Sequence, residues 1–320
     1  MFIDRRAALT CAILGALVAC GKPANDEPAP EPAVAPAPTV TLDQPGDPEN
    51  ADTDTEVDEP SEDIARTETA PVRPAPKPDA PHRMYPALGP NQAFVIDFTK
   101  HSVGHGWYIA NHDVPGAQWK NDFRADNVSF TPDGMVITIT EKPDPEPGQW
   151  PWNSGEVSTH ATFHYGYYEV EMKIARGSGL VTAMFTFTGS YYGTVHDEVD
   201  LEFVGTRTDD VEFNVFRAGR SRGSKRHQLP FDASEGFHTY AFDWQPDYVH
   251  WYVDGERVHS LTNPNHVPRV PSKIMMNMWA GNIEAWHGPA TFAPGTNAKF
   301  RCLSFSPGTD RSHTCSARPQ

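Results

Sequence analysis

The stretch "HDEVDLEF" (His196–Phe203) alternates polar and apolar side chains, and its acidic residues recur at every second position. Because successive side chains of a β-strand point to opposite faces, one face would carry three carboxylates (Glu198, Asp200 and Glu202) and the other three apolar side chains (Val199, Leu201 and Phe203). The apolar side predicts a strand anchored in a core. The acidic side needs a separate explanation, because each carboxylate raises the pKa of its neighbours.

Three explanations fit a row of carboxylates. A solvated outer face would more naturally intersperse Lys or Thr, and a cation site is an alternative, since calcium prefers oxygen ligands. The third is glycoside hydrolysis, in which a retaining enzyme places two carboxyl groups about 5–5.5 Å apart around the scissile bond. The Cα atoms of Glu198 and Glu202 would lie about 13 Å apart on an extended strand. Long side chains on a concave, twisted sheet are therefore required, and we favour this third hypothesis.

The same period of two recurs in the second half of the chain. It is found in "MVITITEK" (135–142), "YYEVEMKIA" (167–175), "HTYAFDW" (238–244), "VHWYVDGERVHSL" (249–261) and "KIMMNMWA" (273–280). Asp254-Gly255 is a strong β-hairpin signal, and no amphipathic helix of three turns is evident. The pattern predicts an all-β domain from residue 84 to 320, built as a sandwich or jelly roll of antiparallel sheets.

The N-terminal quarter has a different character. Residues 1–20 combine Arg5-Arg6 with an apolar run that is short for a membrane span and ends in "LVAC-G". This ending resembles the lipobox of bacterial lipoproteins, which implies lipidation of Cys20; an ordinary cleaved signal peptide is the alternative. Residues 21–83 are rich in Pro, Ala and acidic residues, which predicts a disordered linker. We therefore expect an exported, membrane-anchored lipoprotein, periplasmic or on the cell surface.

Composition limits the remaining classes. The formal net charge is -16, most of it in the linker, and no basic face suggests nucleic-acid binding. Of the four cysteines, Cys302 and Cys315 form the one pair in the predicted domain. In an oxidising compartment they are expected to form a disulfide, with two free thiols as the alternative. We expect the domain to be a monomer.

Beyond these patterns, the sequence resembles a known family. Glu198-Val199-Asp200-Leu201-Glu202 matches the E-x-D-x-E signature of glycoside hydrolase family 16. Further blocks are similar to the bacterial lichenases, in the same order: "FRADNVSFTPDG", "YGYYEVEMKIARGSGLVTAMFTFTG", "FDASEGFHTYAFDWQPDYVHWYVDG" and "KIMMNMWAG". The resemblance implies a concanavalin-like β-jelly-roll sandwich of two antiparallel sheets with a concave substrate cleft.

The resemblance also implies roles for individual residues. Glu198 would be the nucleophile, Glu202 the general acid/base and Asp200 the supporting carboxylate. Sugar-binding positions would be Glu156, Phe185, Phe187, His196, Asn214, Phe216, Asn277, Trp279 and Trp286. These residue types are suited to sugar binding, because aromatic faces stack on glucose rings and amides bind hydroxyls. Core packing is the alternative for any single Trp.

Several positions depart from the lichenase pattern. His196 stands where lichenases usually have Trp, Phe187 and Phe216 where they tend to have Tyr, and Ser158 where Arg is expected. Residues 143–154 look like an inserted loop, whose Trp150 and Trp152 would either add a sugar platform or fold back on the sandwich. The family's calcium-associated aspartate corresponds to Arg301. We therefore expect no metal or other cofactor, with a structural calcium as the alternative.

Three functions are compatible with these sequence features. The leading hypothesis is a retaining endo-β-glucanase that cuts internal bonds of a β-glucan or a glucose-rich exopolysaccharide. The second is a transglycosylase with the same nucleophile, acting on β-glucan or xyloglucan. The third, a non-catalytic carbohydrate-binding lipoprotein, is disfavoured because binding alone does not need three adjacent carboxylates.

Overall fold

The computed structural model of this chain describes residues 82–114, 118–146 and 148–318. The predicted signal peptide with Cys20, and the predicted linker up to residue 81, lie outside the described residues. Within the described part, no helix is long and apolar enough to cross a membrane. The helical elements there are a single α-helix, α1 (Glu284–His287), and two 3₁₀ turns, Ala125–Asn127 and Ser190–Tyr192.

The first large sheet contains the acidic stretch. Its eight strands are β4 (Trp107–Ile109), β10 (Glu156–Thr159), β12 (Leu180–Thr188), β13 (Asp197–Val204), β14 (Asp210–Arg217), β15 (Arg220–Ser221), β16 (Lys225–Gln228) and β20 (Lys273–Ala280). They are ordered β15-β14-β13-β12-β20-β10-β4, and β16 also pairs with β14. Strand β13 therefore lies near the middle of the sheet, with neighbours on both sides.

The second large sheet lies behind the first. Its eight strands are β2 (Phe94–Asp97), β6 (Val128–Thr131), β7 (Gly134–Thr138), β11 (Gly166–Lys173), β17 (His238–Trp244), β18 (Val249–Val253), β19 (Glu256–Leu261) and β21 (Asn297–Pro307). The order is β19-β18-β17-β11-β21-β7-β6, with β2 paired to β21. Every pairing within both large sheets is antiparallel.

Two small sheets complete the described part. β1 (Arg83–Met84) pairs in parallel with β3 (His101–Ser102). β9 (Trp152–Ser154) pairs with both β5 (Asn121–Phe123) and β8 (Thr140–Glu141). The ordered fold thus includes Arg83, one residue before the predicted domain boundary.

The alternating sequences explain the packing between the sheets. Apolar side chains of β13 (Val199, Leu201, Phe203) and of β17 (Tyr240, Phe242, Trp244) are fully buried in one core cluster. Each such side chain stabilises the fold by roughly 1.5–3 kcal/mol. One polar contact crosses this core: the indole of Trp251 on β18 donates to the Asp200 carbonyl at 3.1 Å. The second sheet thereby holds the backbone of the acidic strand in place.

The predicted fold class is confirmed as an all-β jelly-roll sandwich of two antiparallel sheets. The five alternating stretches all form strands, and 249–261 forms the predicted hairpin of β18 and β19. Its turn residues have φ values of 47° at Asp254 and 81° at Gly255. This left-handed pair is what a tight hairpin turn requires.

Candidate active site

The three carboxylates of β13 point away from the core, to the face that we call the cleft face. Glu198, Asp200 and Glu202 are nevertheless only 1%, 3% and 6% exposed. Neighbouring strands, the loops around them and a second cluster of apolar side chains surround these acids. The strand therefore buries both of its faces, and the acids lie in an environment of low polarity.

The strand register arranges the cleft face in three rows across the sheet. Glu202 lies in a row with Ala183, Asn277, Glu156 and Glu212; Asp200 with Phe185, Met275, Ser158 and Asn214; Glu198 with Phe187, Lys273 and Phe216. Directly opposite residues have Cβ atoms about 4.5–5.5 Å apart. The three rows thus contain six of the nine predicted sugar-binding positions, although these are distant in sequence: Glu156, Phe185, Phe187, Asn214, Phe216 and Asn277.

Glu198 receives hydrogen bonds. The Nε2 atom of His196 lies 2.6 Å from Glu198 Oε2, and burial lowers the pKa of His196 to about 4. A neutral imidazole with its hydrogen on Nε2 donates to the carboxylate. A hydrogen bond between the Asp200 and Glu198 side chains lowers the pKa of Glu198 and raises that of Asp200, so Asp200 is the donor. The Asp200 contact favours the charged form of Glu198, and His196 adds a second donor when its hydrogen is on Nε2.

Glu202 has the opposite environment. Its Oε1 atom is buried without a hydrogen-bond partner. Burial raises the pKa of Glu202, and the charges of Asp200 and Glu212 raise it further. Burial also raises the pKa values of Glu198 and Asp200, but only Glu198 has donors that favour its ionised form. The surroundings therefore favour ionisation more at Glu198 than at Glu202.

Glu156 and Asn277 form a second polar pair in the Glu202 row. Asn277 Nδ2 donates to Glu156 Oε2 at 3.1 Å, and burial raises the pKa of Glu156 to about 7. The remaining oxygens, Glu156 Oε1 and Asn277 Oδ1, are buried without partners, and so is the Trp279 indole nitrogen. Buried polar atoms without partners are rare in native proteins, and this group has the chemistry to bind hydroxyls.

The aromatic positions predicted to bind sugar form the floor of this face. Phe185, Phe187, Phe216 and Trp279 are at most 5% exposed. His196 stacks on Phe216, with ring centroids 4.8 Å apart. They therefore pack against one another rather than stand as isolated exposed platforms.

Two predicted residues lie at the margins of the face. Asn214 accepts a hydrogen bond from Ser221 Oγ at 2.8 Å. Trp286, in α1, is half-buried; its ring centroid is 5.9 Å from that of Trp279, and its indole donates to Glu212 Oε2 at 3.0 Å. Both side chains are thus held by partners that the sequence did not reveal.

The sequence interpretation missed three residues of this face. The Trp119 ring lies 4.7 Å from that of Trp279, Tyr192 packs on the same cluster, and Glu212 is directly opposite Glu202. Trp119 lies in a segment without alternation, and the Tyr192 segment forms a 3₁₀ turn. Glu212 does alternate with apolar neighbours in "VEFNVF", which is the one signal that could have identified it.

The two tryptophans of the predicted inserted loop pack against different parts of the molecule. Trp150 packs against the cleft-face cluster, and its indole donates to the Val114 carbonyl at 3.0 Å. Trp152 packs against the sandwich core, with its ring 4.6 Å from that of Phe292. Trp152 folds back on the sandwich, whereas Trp150 forms part of the cleft rim.

Arg301 and Cys302 lie on β21 of the second sheet, and Cys315 lies in the segment that follows this strand. Cys302 and Cys315 are joined in a disulfide with Cα atoms 5.7 Å apart. The Arg301 guanidinium lies 3.7 Å from the Phe237 ring centroid, so a cation stands at the position to which the resemblance assigns a calcium-associated aspartate. This side chain does not fit a calcium ligand. Among the residues that the structure describes, no group of three His, Cys, Asp or Glu could hold a metal ion.

Comparison with known proteins agrees with this geometry. The sequence profile described as "Glycosyl hydrolases family 16" matches residues 116–296. The chain is 42% identical over 202 residues to a beta-glucanase of Paenibacillus polymyxa, covering 62% of this chain and 82% of that protein. It is 41% identical over 198 residues to a beta-glucanase of Bacillus subtilis strain 168, covering 61% and 78% respectively.

Solved structures are similar as well. A lichenase (beta-1,3-1,4-glucanase) derived from a mouse hindgut metagenome superposes with a TM-score of 0.63 at 34% identity, covering 67% of this chain and 99% of that one. The beta-glucanase of Bacillus licheniformis superposes with a TM-score of 0.62 at 36% identity, covering 68% and 98%.

Proposed function

This chain belongs to glycosyl hydrolases family 16, and on that premise we propose that it is a retaining endo-β-glucanase. One observation carries the proposal: the two glutamates of β13 have opposite surroundings. Glu198 has donors from His196 and Asp200, while Glu202 Oε1 has none. A nucleophile must be ionised and a general acid protonated, so this asymmetry suits a double displacement.

The proposed reaction has two steps. Glu198 attacks the anomeric carbon while the Glu202 carboxyl donates its proton to the departing glycosidic oxygen, which forms a covalent glycosyl-enzyme. Glu202, now ionised, then takes a proton from water, which attacks the same carbon and releases Glu198. Two inversions retain the configuration. Asp200 assists by donating to Glu198 while the latter carries charge.

The remaining groups of the cleft face support a polysaccharide substrate. The unpartnered oxygens of Glu156 and Asn277 and the free indole nitrogen of Trp279 offer hydrogen bonds to sugar hydroxyls. A β-glucan is the proposed substrate, because the similar proteins are named beta-glucanases. We further propose export and lipid anchoring at Cys20, which incorporation of labelled palmitate into wild type but not Cys20→Ser would test.

The test is hydrolysis by the full-length chain of barley β-glucan, lichenan, laminarin, xyloglucan and succinoglycan. We expect release of oligosaccharides from at least one β-glucan, with proton NMR showing the β-anomer first. Glu198→Ala should lose activity by about 10⁴-fold or more, whereas Glu235→Ala, at an exposed position, should not. Absence of products from every polymer would overturn the proposal, and products longer than the substrate would indicate transglycosylation.

A second variant tests the role of Glu202. Glu202→Gln should lose activity on polymers but retain far more activity on aryl β-glycosides of cellobiose or laminaribiose that have a good leaving group. The reason is that such substrates need little protonation of the departing oxygen. Equal loss on both kinds of substrate would contradict the assignment of Glu202 as the acid.

A further inference from the structure

Glu212 on β14 stands directly opposite Glu202 in the strand register, although neither family resemblance nor composition assigned it a role. Its side chain is 15% exposed. Two carboxylates placed opposite each other on adjacent strands destabilise a sheet. Partners that offset this repulsion are therefore required around Glu212.

The Glu212 carboxylate is fixed by three donors. Oε1 accepts from Arg207 at 2.6 Å and from Arg226 at 3.3 Å, and Oε2 accepts from the Trp286 indole at 3.0 Å. Arg207 also donates to the Trp286 carbonyl at 2.8 Å. Glu212 and Arg207 therefore hold Trp286 by both its side chain and its backbone, next to Trp279.

The same contacts set the charge beside Glu202. Arg207 and Arg226 also contact Asp210, at 3.1 and 3.7 Å, so the cluster of two acids and two arginines has no net charge. Within it, Glu212 is the member opposite Glu202 and contributes to raising the pKa of Glu202, after burial and Asp200.

No other charged side chain of the neighbouring strands lies in register opposite Glu202. β12 contributes Ala183 to the row and β20 contributes Asn277, while Glu156 on β10 lies beyond them. On β13 itself the other acids are Asp200 and Glu198. Neutralising Glu212 alone would leave the arginine cluster with one excess positive charge near Glu202.

We propose that Glu212 is a positioning residue of the reaction, which fixes Trp286 at the cleft margin and places a negative charge beside Glu202. This inference rests on the proposed function of Glu202 as the acid. Through the charge, Glu212 keeps the Glu202 carboxyl protonated at higher pH. Through the indole contact, it holds an aromatic face ready for a sugar ring.

The test compares Glu212→Gln with wild type in the full-length chain. Gln keeps the size and one acceptor but removes the charge. The alkaline limb of the kcat/KM profile reports the acid of the free enzyme, and we expect it to move to lower pH by about one unit. The acidic limb, which reports Glu198, should move less. Glu212→Ala, which also releases Trp286, should in addition raise KM roughly tenfold.

Asp210→Asn is the matched control, because it removes the same charge from the same arginine cluster at a position not opposite Glu202. The alkaline limb of the kcat/KM profile of Asp210→Asn should lie closer to that of wild type than the limb of Glu212→Gln does. An equal displacement in Asp210→Asn, or an unchanged limb in a folded Glu212→Gln protein, would overturn the inference.

A readout that does not need activity separates this inference from the proposed function. Titration of the side-chain carboxyls in glutamate-¹³C-labelled protein, with Glu202→Gln to assign the signal, gives the Glu202 pKa directly. If wild type cleaves no glycan, the proposed function fails, and the titration still shows whether Glu212→Gln lowers that pKa. An unchanged Glu202 signal would refute the charge effect.

Discussion

Asp197 and Glu198 are consecutive residues of one strand, yet their carboxylates lie on opposite faces and have different partners. Asp197 is fully buried and accepts hydrogen bonds from the backbone N–H groups of Ala218, Arg269 and Val270 and from the Arg217 guanidinium. On the other face, the acids are crowded by one another, and Glu202 Oε1 has no partner. The structural carboxylate of Asp197 is thus surrounded by donors, whereas Glu202 keeps an oxygen atom that can bind substrate.

A second pair of glutamates repeats this contrast. Glu169, on the outer face of β11, is 2% exposed and accepts from the backbone N–H and the hydroxyl of Ser316 at 3.1 and 2.8 Å. Glu156 is almost as buried, at 4%, but has a single donor in Asn277. Glu169 and Glu156 thus differ in the number of their donors and hardly in their burial.

The largest effect on stability is expected from Asp197→Ala. The substitution leaves Arg217 and three backbone N–H groups without their acceptor in a buried place, which should lower the free energy of unfolding by about 4 kcal/mol. Urea denaturation at pH 7 measures it. Glu198→Ala, one residue along, is the matched control, and it should leave stability unchanged or raise it because a crowded buried acid is removed. Similar losses in both variants would break the contrast between the two faces.

The contrast also explains what the sequence could and could not predict. Alternation over 196–203 correctly predicted which side chains share a face, because that period is local to one strand. It did not reveal that Asp197 is a structural residue, since its partners lie 20 to 73 positions away. The pairing of Glu212 with Glu202 likewise depends on the register between strands, which no local pattern encodes.

Local sequence patterns also fail to predict the contacts made by loops and by the C-terminal segment. Trp119 reaches Trp279 from a segment without periodicity, so no strand pattern pointed to the cleft. Apart from Cys315, the residues after Pro307 carried no interpretable signal, yet Ser316 binds Glu169, and Arg311 and Arg318 pair with Asp243 and Glu171. Such contacts are specified by tertiary packing, which the sequence pattern alone does not show.

The next effect in size concerns this C-terminal segment. The disulfide spans a sequence separation of 13 residues, and its removal in Cys302→Ser/Cys315→Ser should lower the free energy of unfolding by roughly 3 kcal/mol. Because the segment covers the outer face of the second sheet, kcat on the preferred glucan should stay within about twofold of wild type. Urea denaturation and initial rates measure the two quantities, and a large loss of kcat in the folded variant would show that the faces are not independent.

A third effect, which is present only at higher pH, is the pH dependence of stability that Glu156 contributes. Burial raises its pKa from 4.5 to about 7, so the folded protein holds this proton more tightly than the unfolded chain. The stability that the protonated group contributes is complete below pH 4.5 and is lost as pH rises through about 7. Glu156→Gln cannot ionise, and at pH 8 it should therefore be more stable than wild type by about 3 kcal/mol, with the difference vanishing towards pH 4.

Glu169→Gln is the matched control for this prediction. A glutamine offers one oxygen where the two Ser316 donors now find two, so this variant should be less stable than wild type at pH 8. Urea denaturation of wild type and both variants across pH 4 to 8 measures the two differences in the free energy of unfolding. A stability difference for Glu156→Gln that does not grow with pH would mean that Glu156 is adequately solvated or paired in the folded protein. The unpartnered oxygen at this position would then no longer distinguish the cleft from the outer face.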